Sequence, residues 1–435
     1  MTIIVFLLII SFLIFIHELG HLLAAKWANV KVENFSIGFG PKIFRFNLGE
    51  TEYSLSLLPL GGYVKMQGEN ILEKDKDLNT DPSRSFDNLP IYKKQIILFA
   101  GPLMNLIVPF FLFPLIFING IDSPKYLDDK MVIGSINTQD ERLKQIELNS
   151  ELVSINDIEI KTWENFLDIK DEKLNSIILI EYIHNNKIKT YEFDNAKNSI
   201  NLKAAFSPAL SNELGGIMKN SLAEINDFRK GDRIIKINNV EINKWSDIKQ
   251  TLLSSKSEKF DFMIQRNDQI INKELVFKAD KDKIIGISPN IITVKKEFSL
   301  EEVISNSFDK SIMSIKLIFN GITGIFAKLF SSDSDVSELK KNLAGPIAIA
   351  KYSGEAAQKG FNSVIQFIII ISVNLGIINL LPIPLLDGGH ITINTIEGIL
   401  RRRINPKIIG FLNKVGFALL ISLMIFAVYN DIINF

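Results

Sequence analysis

Long apolar runs alternate with stretches of mixed polarity along this chain. Residues 2–25, 96–118 and 361–386 are each apolar over the length needed to cross a bilayer, about 20 residues. A fourth run, 408–428, carries Lys414 near its start, where the amine can reach the membrane surface while its stem stays in the apolar layer. The first run has neither the positive opening nor the small-residue end of a secretory signal, and is expected to stay as a membrane helix. Residues 307–330 are also apolar, but Lys310, Lys316 and Lys328 punctuate them. That pattern predicts an amphipathic helix on or beside the membrane.

Residues 119–360, between the second and third runs, are of ordinary soluble composition and hold an internal repeat. Ile155-Asn156-Asp157-Ile158-Glu159-Ile160 followed by Trp163 returns 82 residues later as Ile237-Asn238-Asn239-Val240-Glu241-Ile242 followed by Trp245. Apolar alternation around a turn-forming pair predicts a β-hairpin, and the stretch after each Trp suits a helix. Further upstream, Glu52-Tyr53-Ser54-Leu55-Ser56-Leu57 alternates and then turns at Leu58-Pro59-Leu60-Gly61-Gly62, which predicts another hairpin. A strand edge there could accept an unwound peptide by β-augmentation.

Lys and Arg cluster in residues 26–94 and at Arg401-Arg402-Arg403. Positive loops stay in the cytoplasm, so both termini and the large central region are expected outside. The 435 residues carry 49 basic and 49 acidic side chains, a balance that offers nucleic acid no electrostatic footing. There is no cysteine, which excludes disulfides, thiolate catalysis and Cys-based metal sites. A transition metal would have to be held by carboxylates and by the four histidines.

His17-Glu18-Leu19-Gly20-His21 lies inside the first apolar run. On a helix, residues four apart share a face, so the two imidazoles can chelate zinc and Glu18 can deprotonate a water. Ionisable groups at membrane depth are costly without a functional reason, which argues against an incidental match. A hydrolytic zinc site usually has three protein ligands and one open position. The candidates for the third are His184, His390 and the carboxylates. His184 adjoins Asn185-Asn186, a turn in the soluble region. Asn379-Leu380-Leu381-Pro382-Ile383-Pro384-Leu385-Leu386-Asp387-Gly388-Gly389-His390 is the better place to look, because two prolines break the helix and Gly-Gly lets the backbone turn. Irregular backbone at such depth is tolerated only when buried in protein or lining a wet cavity. His17 is about 22 Å along the first helix, in the cytoplasmic third of the bilayer, and a third span running inward brings Asp387 to a similar level. Four spans allow that meeting; a fifth at 307–330 would reverse the direction and prevent it.

These residues resemble the site-2 proteases, and within them the bacterial regulator of sigma-E protease type, an M50-class family. The likeness rests on the His17–His21 motif and on Asn379 to Gly389. Gly38-Phe39-Gly40-Pro41, Leu60-Gly61-Gly62-Tyr63-Val64-Lys65-Met66, Ala100-Gly101-Pro102-Leu103-Met104-Asn105 and Gly345-Pro346-Ile347 also carry it. The resemblance implies an intramembrane zinc metalloendopeptidase with one Zn2+ per chain, Asp387 as third ligand, Glu18 as catalytic base, and Asn379 holding substrate or the developing oxyanion. Gly61 and Gly62 are expected at the substrate-binding strand. It makes the repeats look like circularly permuted PDZ domains, clearer in the second copy, Leu214-Gly215-Gly216-Ile217 through Lys230-Gly231-Asp232. In the first copy Asn149-Ser150 stands where Gly231-Asp232 would align, and Asn tolerates the left-handed turn.

The expected architecture is a polytopic α-helical membrane protein with four transmembrane helices and two tandem β-rich PDZ-like domains between the second and third. The expected domains are 1–120, the first half of the membrane domain with its cytoplasmic hairpin; 121–205 and 206–290, the PDZ-like pair; 291–360, an amphipathic helical linker outside; and 361–435, the second half of the membrane domain. The setting implied is the bacterial inner membrane, with the site toward the cytoplasm. The partners implied are the lipid bilayer and single-span substrates such as anti-sigma factors or remnant signal peptides, with no nucleic acid. A peptide-capturing scaffold has no need of Glu18. A transporter fits poorly with four spans that lack an inverted repeat.

Overall fold

The computed structural model describes residues 2–68, 81–137, 140–174, 177–195, 200–255, 257–277, 283–329 and 345–434. They form two compact units, one drawn from within 1–121 and 297–435 and the other from within 122–296.

In the first unit, α1 (Thr2–Trp27) packs against α2 (Ile91–Asn119). Gly20 sits where a Cβ would lie 2.3 Å from the Ala100 carbonyl oxygen, so the two backbones touch there. Small residues at such crossings let apolar helices approach where no hydrophobic force drives them together. Pro102, Pro109 and Pro114 lie inside α2. A strand pair follows α1: β1 (Val32–Leu48) and β2 (Thr51–Met66). Residues 32–37 pair with 62–66 on one side and with 52–55 on the other, and 42–48 pair with the outer side of 51–56. Gly38 and Gly40, at φ 89° and 87°, turn β1 between these two pairings. Residues 62–66 therefore form one edge of the sheet. Its root, with Val32, Phe35, Val64 and Met66, is buried against Leu22, Ala25 and Ile97.

The rest of the unit contains α3 (Leu300–Leu329), α4 (Pro346–Lys359), α5 (Phe361–Asn379), α6 (Asp387–Leu400) and α7 (Pro406–Asn434). The helix expected at 307–330 is α3; its last expected residue is outside the described residues. It packs on α2 and α5, with the Phe110 and Phe308 rings 5.6 Å apart. α5 also packs on α2. Among the described residues four helices are long and apolar enough to cross a membrane: α1, α2, α5 and α7. The third ends at Asn379, earlier than the apolar run suggests, because the chain unwinds before Pro382 and Pro384. Buried Asp431, near the end of α7, accepts from the backbone N–H groups of Gly345, Ile347 and Ala348 at 2.9, 3.0 and 3.0 Å and so caps α4.

The second unit holds the two PDZ-like modules. In one, β3 (Glu151–Ile155), β4 (Ile158–Glu159), β5 (Ile177–His184) and β6 (Lys187–Asp194) form an antiparallel sheet in the order β4-β3-β5-β6. In the other, β7 (Arg233–Ile237), β8 (Val240–Glu241), β9 (Lys259–Arg266) and β10 (Gln269–Val276) repeat it as β8-β7-β9-β10. Each Trp opens a helix, Trp163–Asp168 and Trp245–Ser254. Asn149 keeps the left-handed turn of Gly231, at φ 63° against 91°. The neighbouring positions diverge as a pair. Asp232 is buried against Arg266, Oδ1 to Nε 2.7 Å, whereas 82 residues earlier the buried Ser150 hydroxyl meets His184 Nδ1 at 3.1 Å. His184 thus takes the place of a structural arginine in this module.

Candidate metal centre

α1 carries His17 and His21 on its buried face, one turn apart. The chain leaves α5 at Asn379 and winds through residues 380–386 before entering α6 at Asp387. That winding is tight: a Cβ on Gly388 would lie 2.3 Å from the Leu380 and Leu381 carbonyl oxygens, and one on Gly389 2.2 Å from that of Ile383. Leu385 is held at φ 79°, a strained setting for a branched side chain. The two glycines let the loop fold back over the start of α6, which puts Asp387 in the first turn of a helix, where a carboxylate suits the dipole.

The three side chains meet. His17 Nε2 lies 3.2 Å from Asp387 Oδ2, His21 Nε2 lies 3.5 Å from Asp387 Oδ1, and the two Nε2 atoms are 3.3 Å apart. The spacings from His17 Nε2 to His21 Nε2 and to Asp387 Oδ2 are close to about 3.3 Å, the edge of a tetrahedron built on metal–nitrogen bonds of roughly 2.0–2.1 Å. Two imidazoles and a carboxylate are a donor set that zinc accepts. The group is a cluster suited to one zinc ion. His390, one turn further along α6, is not part of it.

α2 holds the ring orientations. His21 Nδ1 donates to the Ile97 carbonyl, 2.8 Å away, which leaves Nε2 as the lone-pair nitrogen. His17 Nδ1 faces the Asn105 side-chain amide at 3.2 Å. Gly101 lies flat against the His21 ring; a Cβ there would come within 2.2 Å of Nε2. The motif around Gly101 and Asn105 is readable as a likeness, but neither residue has a role that the sequence alone reveals.

A cavity of about 260 Å³ opens on the cluster, lined by Glu18, Asn379, Leu386 and the sheet edge at Gly62, Tyr63 and Val64. Glu18 is half-buried there. Gly62 approaches it so closely that a Cβ would lie 2.9 Å from the Glu18 Cγ. Asn379 Nδ2 is 3.5 Å from His17 Nε2. Gly61 is not among the lining residues; at φ 152° it packs under the Phe39 ring, 1.9 Å from where its Cβ would be.

The model of peptidase family M50 matches residues 5–423. The regulator of sigma E protease of Haemophilus influenzae is 30% identical over 457 residues, spanning 99% of this chain and 98% of that protein. The regulator of sigma-E protease RseP of Escherichia coli is 28% identical over 453 residues, spanning 98% and 97%. The regulator of sigma E protease of Salmonella typhi is 28% identical over 452 residues, with the same coverage. With a match that runs through α1, α2 and the loop into α6, and with the clustered His, His and Asp, the chain belongs to peptidase family M50, the site-2 proteases, as an intramembrane zinc metalloprotease.

Proposed function

We propose that His17, His21 and Asp387 are the zinc ligands, that Glu18 is the general base, and that the enzyme cuts single-span membrane proteins of the anti-sigma-factor kind or remnant signal peptides. The observation that carries this reading is the convergence of three side chains, with nearest donor atoms 3.2–3.5 Å apart, on the cavity that Glu18 lines. Bound there, zinc supplies Lewis-acid polarisation of the scissile carbonyl and acidifies the attacking water. Glu18 takes the proton from that water as its oxygen attacks the carbonyl carbon, then hands the proton to the leaving amine nitrogen. Asn379 turns its amide N–H toward the carbonyl oxygen as charge gathers on it.

A helical substrate shields its own peptide bonds, so it must unwind first. The edge at residues 62–66 offers the unwound segment a strand to pair with, and Gly62 brings that edge within reach of Glu18. The basic loops at 26–94 and 401–403 support an orientation with both termini and the PDZ-like modules outside and the site toward the cytoplasm. The modules then act as a filter that turns away substrates still carrying a bulky outer domain. The relatives named as sigma-E regulator proteases support the substrate class.

Glu18→Gln is the test, because it keeps shape and polarity and removes only the base. Reconstituted with a single-span substrate, this variant is expected to retain zinc and lose cleavage. Turnover at the wild-type rate would put the base elsewhere.

A further inference from the structure

Asn105 is fully buried in α2, and among the described residues its side chain has one hydrogen-bond partner, His17 Nδ1 at 3.2 Å. The far end of the amide, placed as Oδ1, meets no partner there. Burying an amide half-satisfied is unfavourable, so something other than packing accounts for its presence.

The ligand chemistry supplies a reason. A neutral imidazole that offers Nε2 as a lone pair carries its proton on Nδ1, which then needs an acceptor. For His21 that acceptor is the Ile97 carbonyl, a group that cannot donate. Among the described residues, His17 has only Asn105 in the equivalent place. The oxygen and nitrogen of an Asn side chain are assigned from surroundings, and the two orientations have the same shape. With NH2 toward His17, the ring would hold its proton on Nε2, aimed at His21 Nε2 only 3.3 Å away. With Oδ1 toward His17, Nδ1–H donates to it and Nε2 is free for a metal. We infer that Asn105 is a positioning residue that accepts the His17 Nδ1 proton through Oδ1, and so fixes this ring as a zinc ligand. The Ser372 hydroxyl donates to the Asn105 main-chain oxygen at 2.8 Å, which ties this point of α2 to α5.

The inference rests on the zinc reading above, and its test separates the two. The zinc dissociation constant of the purified full chain is measured by chelator competition for wild type, Asn105→Asp, Asn105→Leu and His17→Ala. Aspartate can only accept, so Asn105→Asp is expected to bind within a few-fold of wild type, with the His17 Nδ1 proton moved downfield in spectra of 15N-histidine-labelled protein. The four histidines of the chain keep those spectra assignable. Leucine removes the acceptor, and Asn105→Leu is expected to weaken zinc roughly 10- to 100-fold, the usual loss for an outer partner of a ligand. If Asn105→Leu binds as tightly as wild type, or folded Asn105→Asp loses zinc to the same extent as Asn105→Leu, the inference is wrong. Either variant decides alone if the other does not fold. Wild-type protein that binds no zinc, or His17→Ala that binds it fully, would overturn the ligand reading instead.

Discussion

Gly101→Ala adds a single methyl group, with no charge or hydrogen-bonding change, at the point where α2 meets the His21 ring. Its Cβ would lie 2.2 Å from Nε2, 2.6 Å from Cε1 and 2.7 Å from Cδ2, whereas ordinary contact begins near 3.4 Å. The ring or the helix must therefore retreat by about 1.2 Å, well past the roughly 0.5 Å that a working site tolerates. The ring cannot swing away freely, since its other nitrogen is bonded to the Ile97 carbonyl on the same helix. The helices cannot part locally without opening the neighbouring Gly20–Ala100 contact. Overpacking of this size costs about 1–3 kcal/mol if the fold absorbs it, and a displaced ligand weakens zinc on the order of 100-fold, about 2.7 kcal/mol. The assay is zinc content after dialysis against a weak chelator, together with cleavage of a single-span substrate; both are expected to fall together. Gly321→Ala, where a Cβ meets nothing within 4 Å, is the control. Full zinc occupancy and wild-type cleavage in Gly101→Ala would refute the argument that this glycine sets the ligand position.

Asp387→Ala should lower zinc content sharply and His390→Ala much less, since only the former stands in the cluster; the opposite ranking would reassign the third ligand. In a chain without cysteine, single cysteines at Ser255 and Ser83 should label from outside and inside respectively, and labelling of both from one side would rule out the proposed orientation. Replacing residues 121–289 by a short linker should make untrimmed substrates cleavable if the modules filter by size. Slower cleavage of trimmed substrates would instead favour capture by the second module's groove.

The paired histidines were legible because helical periodicity turns a spacing of four into a shared face, whatever the rest of the chain does. Asp387 was legible for a different reason: prolines and glycines beside an apolar run announce broken backbone, which a membrane permits only where it is covered or wet. The end of the third helix is not legible, since hydropathy continues through Leu380, Leu381, Leu385 and Leu386 although the α-helix ends at Asn379. Asn105 could not be assigned a role, because a single Asn in an apolar helix acquires one only when another helix brings a ligand to it. The folding of β1 between two stretches of β2 was likewise hidden; alternation reports which face a residue takes, but not how many neighbours a strand has. Asp431 lies beyond the last apolar run, and its role depends on Gly345, 86 residues away in sequence.

Putting water chemistry into a membrane domain sets two demands that conflict. The ligands must be rigid, which favours helices, and the third must come from a different segment at the same depth, which favours a broken one. The protein separates the tasks. α1 stays unbroken and supplies both histidines, while the loop between α5 and α6 supplies the carboxylate and closes its irregular backbone over Gly388 and Gly389. α2 contacts both sides of this arrangement: the Ile97 carbonyl and Gly101 set His21, Asn105 faces His17, and the same helix packs on α5 and α6. A helix that contributes nothing to the His17–His21–Asp387 cluster therefore keeps the elements that carry it in register. That explains why a methyl group on α2 should be as damaging as the loss of a ligand, and why substitutions there should be read first in metal affinity and only then in rate.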